Sequence, residues 1–284
     1  MTYSNPEALV SADWLAAHID APDIRVIDAS FYLPTETRDA DAEYAEGHIP
    51  GAIRFDIEEI CDPDSDLPHM LPTPEMFSSR VRNLGLGDGI RIIAYDQKGH
   101  CAAASRAWWM FRIFGHSDVA VLDGGLPAWK AAGHAVEQDQ PVLKPRHFTA
   151  RFDSTMVRNY DQVKRNIDAG KFQTVDARTR GRFDGTAPEP RKELRSGHIP
   201  NSLSLPYDHL IDPATQKMLP ASELEKRIAD AGIDPKRPIV ATCGSGVTAC
   251  VPALALYLLG HRNVAIYDGS WTEWAGRPDS PILP

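Results

Sequence analysis

The 284-residue sequence predicts an α/β protein of two tandem domains, each a mainly parallel sheet flanked by helices. Three observations carry that prediction. The chain repeats itself, apolar runs alternate with helical-period segments inside each copy, and a polar stretch with prolines separates the copies. Gly47-His48-Ile49-Pro50-Gly51 recurs as Gly197-His198-Ile199-Pro200-Asn201, an offset of 150 (197 − 47). Val26-Ile27-Asp28-Ala29 answers to Thr174-Val175-Asp176-Ala177 at 148 (176 − 28), and Phe114-Gly115-His116 with Val119 to Gly125 answers to Leu259-Gly260-His261 with Val264 to Ser270 at 145 (268 − 123). The order is kept while the offset drifts, as expected of a duplicated domain with small insertions.

In the first copy, strands are expected near Arg25 to Asp28, Arg91 to Tyr95 and Val119 to Leu122, with helices near Pro74 to Leu84 and Ala102 to Phe114. The second copy gives strands near Phe172 to Asp176, Pro238 to Thr242 and Val264 to Tyr267, and helices near Ala221 to Ala231 and Val247 to Leu259. The strand runs are short and rich in apolar residues, which is how strands of a covered parallel sheet read. Gln138 to Arg146 holds Pro141 and Pro145 and little apolar periodicity, so it reads as a linker. The expected division is an amino-terminal domain over 1–138, a linker over 139–158 and a carboxy-terminal domain over 159–284.

Composition narrows the function classes. A net charge of −9 with 43% hydrophobic and 24% charged residues suits a globular protein with an acidic surface and argues against nucleic acid as a partner. Met1 to Val10 has neither a cationic start nor an apolar run, and no apolar stretch approaches the ~20 residues of a membrane span. A cytoplasmic protein with no membrane partner is expected. Cys61, Cys101, Cys243 and Cys250 form no C-x-x-C pair and no cysteine/histidine cluster at zinc-finger spacing, so free thiols are expected and a metal is not.

Duplication offers an internal control: a residue kept in both copies serves the fold, whereas one found in a single copy is a candidate for chemistry. His48 and His198 in their Gly-His-Ile-Pro turns, and Asp28 and Asp176 at strand ends, fall in the first class. Aligning Ile92-Ile93-Ala94-Tyr95-Asp96 with Ile239-Val240-Ala241-Thr242-Cys243 sets Asp96 against Cys243, so only the second copy has a thiol there. The loop Cys243-Gly244-Ser245-Gly246-Val247-Thr248 leads from a strand into a helix, where successive backbone N–H groups and the helix's positive end converge. Gly244 and Gly246 permit the tight dihedrals of such a cradle. A free thiol ionises near pH ~8.5, and a helix amino terminus can lower that to about 3.5–7.5. Cys243 is therefore expected to be a nucleophilic thiolate, held as a persulfide anion would be. Cys101 and Cys250 sit in apolar patterns and read as buried core.

With these motifs, and with Ser30-Phe31-Tyr32-Leu33-Pro34, Phe111 to His116, Asp123-Gly124-Gly125-Leu126 and Tyr267-Asp268-Gly269-Ser270-Trp271, the sequence resembles the tandem rhodanese family over essentially its whole length. The resemblance implies an inactive first rhodanese-like domain and a catalytic second one. It implies a sulfurtransferase that needs no cofactor, with Cys243 carrying the sulfur to a small thiol, thioredoxin or cyanide. Family members that use thiosulfate tend to carry basic residues after the cysteine. Those that use 3-mercaptopyruvate resemble the neutral Gly244-Ser245-Gly246-Val247 found here, which implies that keto acid as donor, with pyruvate released; thiosulfate as donor is the alternative. The resemblance places a carboxylate clamp on Arg182 and Arg191, whose planar forks suit a carboxylate and its neighbouring keto oxygen. Gly244, Gly246, Val247 and Thr248 are implied as the loop that binds the substrate, Ser245 as a hydrogen-bond partner of the reacting sulfur, and His69 as a substrate neighbour at the domain interface with Glu58 or Asp56 as its acidic partner. A monomer is expected.

Two other readings compete. Cysteine phosphatases need C-x5-R, and the sixth position after Cys243 is Ala249, so the phosphate-closing cation is missing. A carrier module that only accepts persulfide from a partner needs no keto-acid clamp.

Overall fold

The computed structural model describes residues 2–33 and 35–284; Pro34, which closes the Ser30-to-Pro34 motif, lies outside the described residues. The first sheet is built from β1 (Leu9–Val10), β2 (Ile24–Asp28), β3 (Ile53–Arg54), β4 (Arg91–Tyr95) and β5 (Val119–Leu122), in the spatial order β1-β5-β4-β2-β3. The second is built from β6 (Val157–Arg158), β7 (Gln173–Asp176), β8 (Leu203–Ser204), β9 (Ile239–Thr242) and β10 (Val264–Tyr267), in the matching order β6-β10-β9-β7-β8. Every neighbouring pair in both sheets is parallel. Helices α1 (Ala12–His18), α2 (Ala40–Glu46), α3 (Pro74–Asn83), α4 (Ala102–Ile113) and α5 (Gly125–Ala131) cover the first sheet, and α6 (Tyr160–Ala169), α7 (Arg180–Phe183), α8 (Ala221–Asp230), α9 (Cys250–Leu258) and α10 (Ser270–Gly276) the second. Both central strands, β4 and β9, are covered on both faces, which is why their sequences do not alternate.

The strands expected from sequence stand within a residue of their predicted bounds. One helix differs: α9 begins at Cys250 instead of Val247, because Gly246 takes a φ of +78° and the chain needs Val247 to Ala249 to recover a helical course. The two-residue edge strands are too short to show a period in sequence. Within the stretch expected as linker, 138–153 has no regular structure and Val142 is 86% exposed, whereas 154–158 forms a 3-10 turn and the edge strand β6. Phe148 of the same stretch packs edge-on against Phe77, pinning the connection to the first domain.

The turn histidines serve the fold in matching ways. His48 Nδ1 donates to the Tyr44 carbonyl (2.8 Å) and stacks on that tyrosine; His198 Nδ1 donates to the Phe183 carbonyl (2.9 Å) and stacks on that phenylalanine.

The domains share one apolar core. Helix α4 is buried around almost its whole circumference and packs on α9 of the other domain. The amino-terminal segment straps the pair together, with Ser4 N–H donating to the Leu258 carbonyl (2.7 Å) and Asn5 Nδ2 to the Tyr257 carbonyl (2.6 Å). The sheets' two strand-to-helix loops, after β4 and after β9, consequently face one another across a cavity of about 120 Å3. Among the described residues, no helix is long and apolar enough to cross a membrane.

Candidate active site

Past β9 the chain turns through Cys243 to Ala249 before α9 begins. The carbonyls of this loop point into protein. That of Cys243 accepts from Trp271 N–H (2.9 Å), that of Gly244 from Thr272 N–H (2.9 Å) and Thr272 Oγ1 (2.7 Å), and that of Gly246 from Arg106 Nη1 (3.2 Å) and Cys250 Sγ (3.4 Å). With the carbonyls so engaged, the backbone N–H groups from Gly244 to Thr248 donate to no acceptor among the described residues. Such a run of free amides is an anion-binding concavity. Cys243, 2% exposed, stands at its start and lines the cavity, and its own N–H donates to Ser270 Oγ (3.2 Å).

The loop after β4 fills the same concavity from within. Asp96 stands where Cys243 does, and its carboxylate accepts from Gly99 N–H (2.8 Å) and Ala104 N–H (3.4 Å). Gly99 (φ +87°) and Gly246 (φ +78°) make the corresponding left-handed turns. In the first copy the loop's amides are taken by a carboxylate of the chain itself; in the second the corresponding amides are left for another acceptor.

The two predicted arginines reach the cavity. Arg182, at the end of α7, donates from Nη2 (2.6 Å) and Nε (3.2 Å) to Glu189 Oε2. Glu189 Oε1 accepts from Arg178 Nη1 (2.8 Å), and Arg178, wholly shielded from solvent, also forks onto Asp176 (2.7 Å for the Nη2 contact). The Arg178 guanidinium lies 4.0 Å from the ring centre of Trp271, whose backbone N–H donates to the Cys243 carbonyl. One chain of contacts thus runs from the anion clamp to the thiol loop.

Ser245 lines the cavity. His69 does not reach it: the ring stands behind Phe31, edge-on at 4.6 Å between centroids, and Phe31 forms the wall. Neither ring nitrogen has a hydrogen-bond partner among the described residues, and the nearest Glu58 oxygen is 3.8 Å from Nδ1. Burial, reinforced by the positive charges of Arg106 and Arg191, pushes the His69 imidazole down to about 3, so it is neutral at physiological pH. Burial also raises the Glu58 carboxyl above its usual range. Cys250 and Cys101 are buried, and that burial pushes both thiols well up, which removes them as nucleophiles.

The rhodanese-like domain profile matches residues 11–132 and again 159–277. The chain belongs to the rhodanese family. Among its relatives are thiosulfate/3-mercaptopyruvate sulfurtransferase 1, mitochondrial, of Arabidopsis thaliana, 46% identical over 98% of this chain and 79% of that protein, and 3-mercaptopyruvate sulfurtransferase of Homo sapiens, 41% identical over 97% and 95%. The crystal structure of SseA from Escherichia coli, a 3-mercaptopyruvate sulfotransferase, superposes with a TM-score of 0.85 at 41% identity, covering 93% of this chain and 98% of that one.

Some of the residues that build this rhodanese site carry no obvious mark in sequence. Glu189 and Arg178 support Arg182, and each reads alone as an ordinary surface charge. Ser270 is more legible: it aligns with Gly125, both take positive φ (+49° and +54°), and a serine accepts that strain where its hydroxyl receives the Cys243 amide. Chemically, the arrangement offers a thiol beside free amides and two cations lining the same cavity, suited to a substrate with sulfur at one end and a carboxylate at the other.

Proposed function

We propose that this chain is a sulfurtransferase taking sulfur from 3-mercaptopyruvate through a persulfide on Cys243. The observation that carries the reading is the run of free amides from Gly244 to Thr248 around the Cys243 thiol, faced by Arg182 and Arg191. The clamp binds the carboxylate and keto oxygen and aims the substrate sulfur at the thiolate. The thiolate attacks that sulfur, an S–S bond forms, and the C–S bond breaks with its electron pair moving to carbon. Pyruvate enolate leaves and takes a proton to become pyruvate, while the persulfide rests as an anion on the loop amides. A thiolate acceptor, from a small dithiol or thioredoxin, or cyanide, then attacks the outer sulfur and returns Cys243 as thiolate. The neutral imidazole of His69 fits a wall-supporting role better than proton transfer. Four free cysteines suit a reducing compartment such as the cytoplasm.

Intact mass tests the covalent step. After 3-mercaptopyruvate and no acceptor, the wild-type protein gains one sulfur and Cys243→Ser gains none; with excess thiol, only the wild type releases pyruvate. Pyruvate release by Cys243→Ser at the wild-type rate overturns the mechanism. Thiosulfate serving as well as mercaptopyruvate overturns the choice of donor.

A further inference from the structure

The domains grip one another through a matched pair of contacts. Asp123 follows β5 and its Oδ1 accepts Met218 N–H from the second domain (2.8 Å); Asp268 follows β10 and its Oδ2 accepts Leu71 N–H from the first (2.8 Å). Leu71 and Met218 are equivalent, since each lies two residues after a left-handed residue, His69 (φ +59°) or Gln216 (φ +58°), and three before a helix, α3 or α8. The interface is therefore nearly twofold.

One side chain breaks that symmetry. Arg106, on α4 and shielded from solvent, donates from Nη1 to Asp268 Oδ1 (2.6 Å) and to the Gly246 carbonyl (3.2 Å), and from Nη2 to the His69 carbonyl. Helix α9, which faces α4 with Cys250-Val251-Pro252-Ala253-Leu254-Ala255, offers Asp123 no such cation. The arginine is present only on the side where the loop carries a thiol. Packing α4 on α9 does not call for it: that contact is largely apolar, the other arginine of α4, Arg112, lies over the Tyr257 ring of α9 (4.2 Å to its centre), and burying a guanidinium is costly until its partners offset it. Gly246 is closed in by the same group: a β-carbon there would stand 3.0 Å from Arg106 Nη1 and 2.8 Å from the Asp268 carbonyl.

We propose that Arg106 is a positioning residue for sulfur transfer, by which the first domain sets the anion-binding loop of the second. By holding the Gly246 carbonyl outward it turns the neighbouring amides toward Cys243, and by holding the His69 carbonyl it fixes the wall behind Phe31. Its buried charge, balanced by Asp268, adds a positive field beside the thiol. The first domain then contributes the loop's geometry as well as half of the cavity.

The inference rests on Cys243 being the nucleophile, and the test separates the two. Arg106→Met/Asp268→Asn removes both buried charges and so avoids an unpaired one, while Arg106→Lys keeps the ion pair but cannot reach three acceptors at once. Both variants should fold, show KM for 3-mercaptopyruvate within about threefold of wild type, and lose kcat by roughly 10–100-fold. The pH midpoint for alkylation of Cys243 by iodoacetamide should rise by about one unit. A folded double variant with kcat within about twofold of wild type and an unmoved alkylation midpoint makes Arg106 structural only and overturns the proposal. In the same assays, pyruvate release by Cys243→Ser would instead overturn the nucleophile on which it rests.

Discussion

The Arg182 guanidinium lies over Gly244, its Nη2 3.2 Å from the point where a β-carbon on that glycine would stand. The cation beside the thiol is thus supplied by α7, and the loop leaves room for it by having no side chain. Gly244 lies outside the left-handed region, so an alanine there meets only the movable end of Arg182. Gly244→Ala should leave unfolding free energy within about 0.5 kcal/mol of wild type. It should raise KM for 3-mercaptopyruvate by roughly 3–10-fold through a displaced clamp, with a smaller effect on thiosulfate, whose charge adjoins the transferred sulfur. Steady-state kinetics with both donors, beside a urea titration, would expose an equal effect on the two and so refute the steric link.

Glu189 holds Arg182 by one carboxylate oxygen and Arg178 by the other. Glu189→Gln keeps the shape but weakens both charge-assisted bonds, and Arg182 is then free to swing away from the cavity. Expected are a loss of about 10–100-fold in kcat/KM for 3-mercaptopyruvate, borne mainly by KM, and about 1–3 kcal/mol less stability from the under-neutralised Arg178. A double-mutant cycle with Arg182→Ala reads the coupling directly. Strict additivity of the two losses would show that Glu189 does not act through Arg182.

Duplication made much of this architecture readable. Because the same order of motifs occurs twice, strands β4, β5, β9 and β10 and helices α3, α4 and α8 could be placed from sequence, and the mismatch of Asp96 with Cys243 singled out the thiol. Helix α6 was not among the helices expected from sequence, although the capping box that Asn159 and Gln162 form marks its start. What sequence could not supply was partnership between distant side chains. Arg106 lies 162 residues from Asp268, and nothing local says that a charge inside the apolar α4 serves a loop in the other domain. The three residues 247–249 of the loop looked helical because apolar periodicity continues through them, whereas the backbone at Gly246 decides otherwise. His69 was placed beside the substrate by resemblance; Phe31, whose ring covers it, is what sets it one layer back.

Asp123 and Asp268 receive the same kind of amide from the opposite domain, yet only Asp268 has an arginine, and the two should respond oppositely to losing their charge. Burial pushes the Asp123 carboxyl up to about 6, with the Met218 N–H and Lys217 opposing it only in part. The folded chain thus holds a proton there between about pH 4 and 6 that the unfolded chain has released, so this group's contribution falls as pH rises through that window and is unfavourable above it. Asparagine keeps the oxygen that accepts the Met218 amide and removes the half-buried charge. Asp123→Asn should be more stable than wild type by about 1–3 kcal/mol at pH 7.5 and equal to it near pH 3.5. Asp268→Asn makes the same atomic change but strands Arg106 without its counter-charge, and should lower stability by about 3–5 kcal/mol. Urea unfolding of both variants at the two pH values measures the contrast. If Asp123→Asn gains nothing at pH 7.5, the carboxyl is ionised and solvated there in spite of its burial, and the asymmetry between the paired aspartates loses its electrostatic meaning.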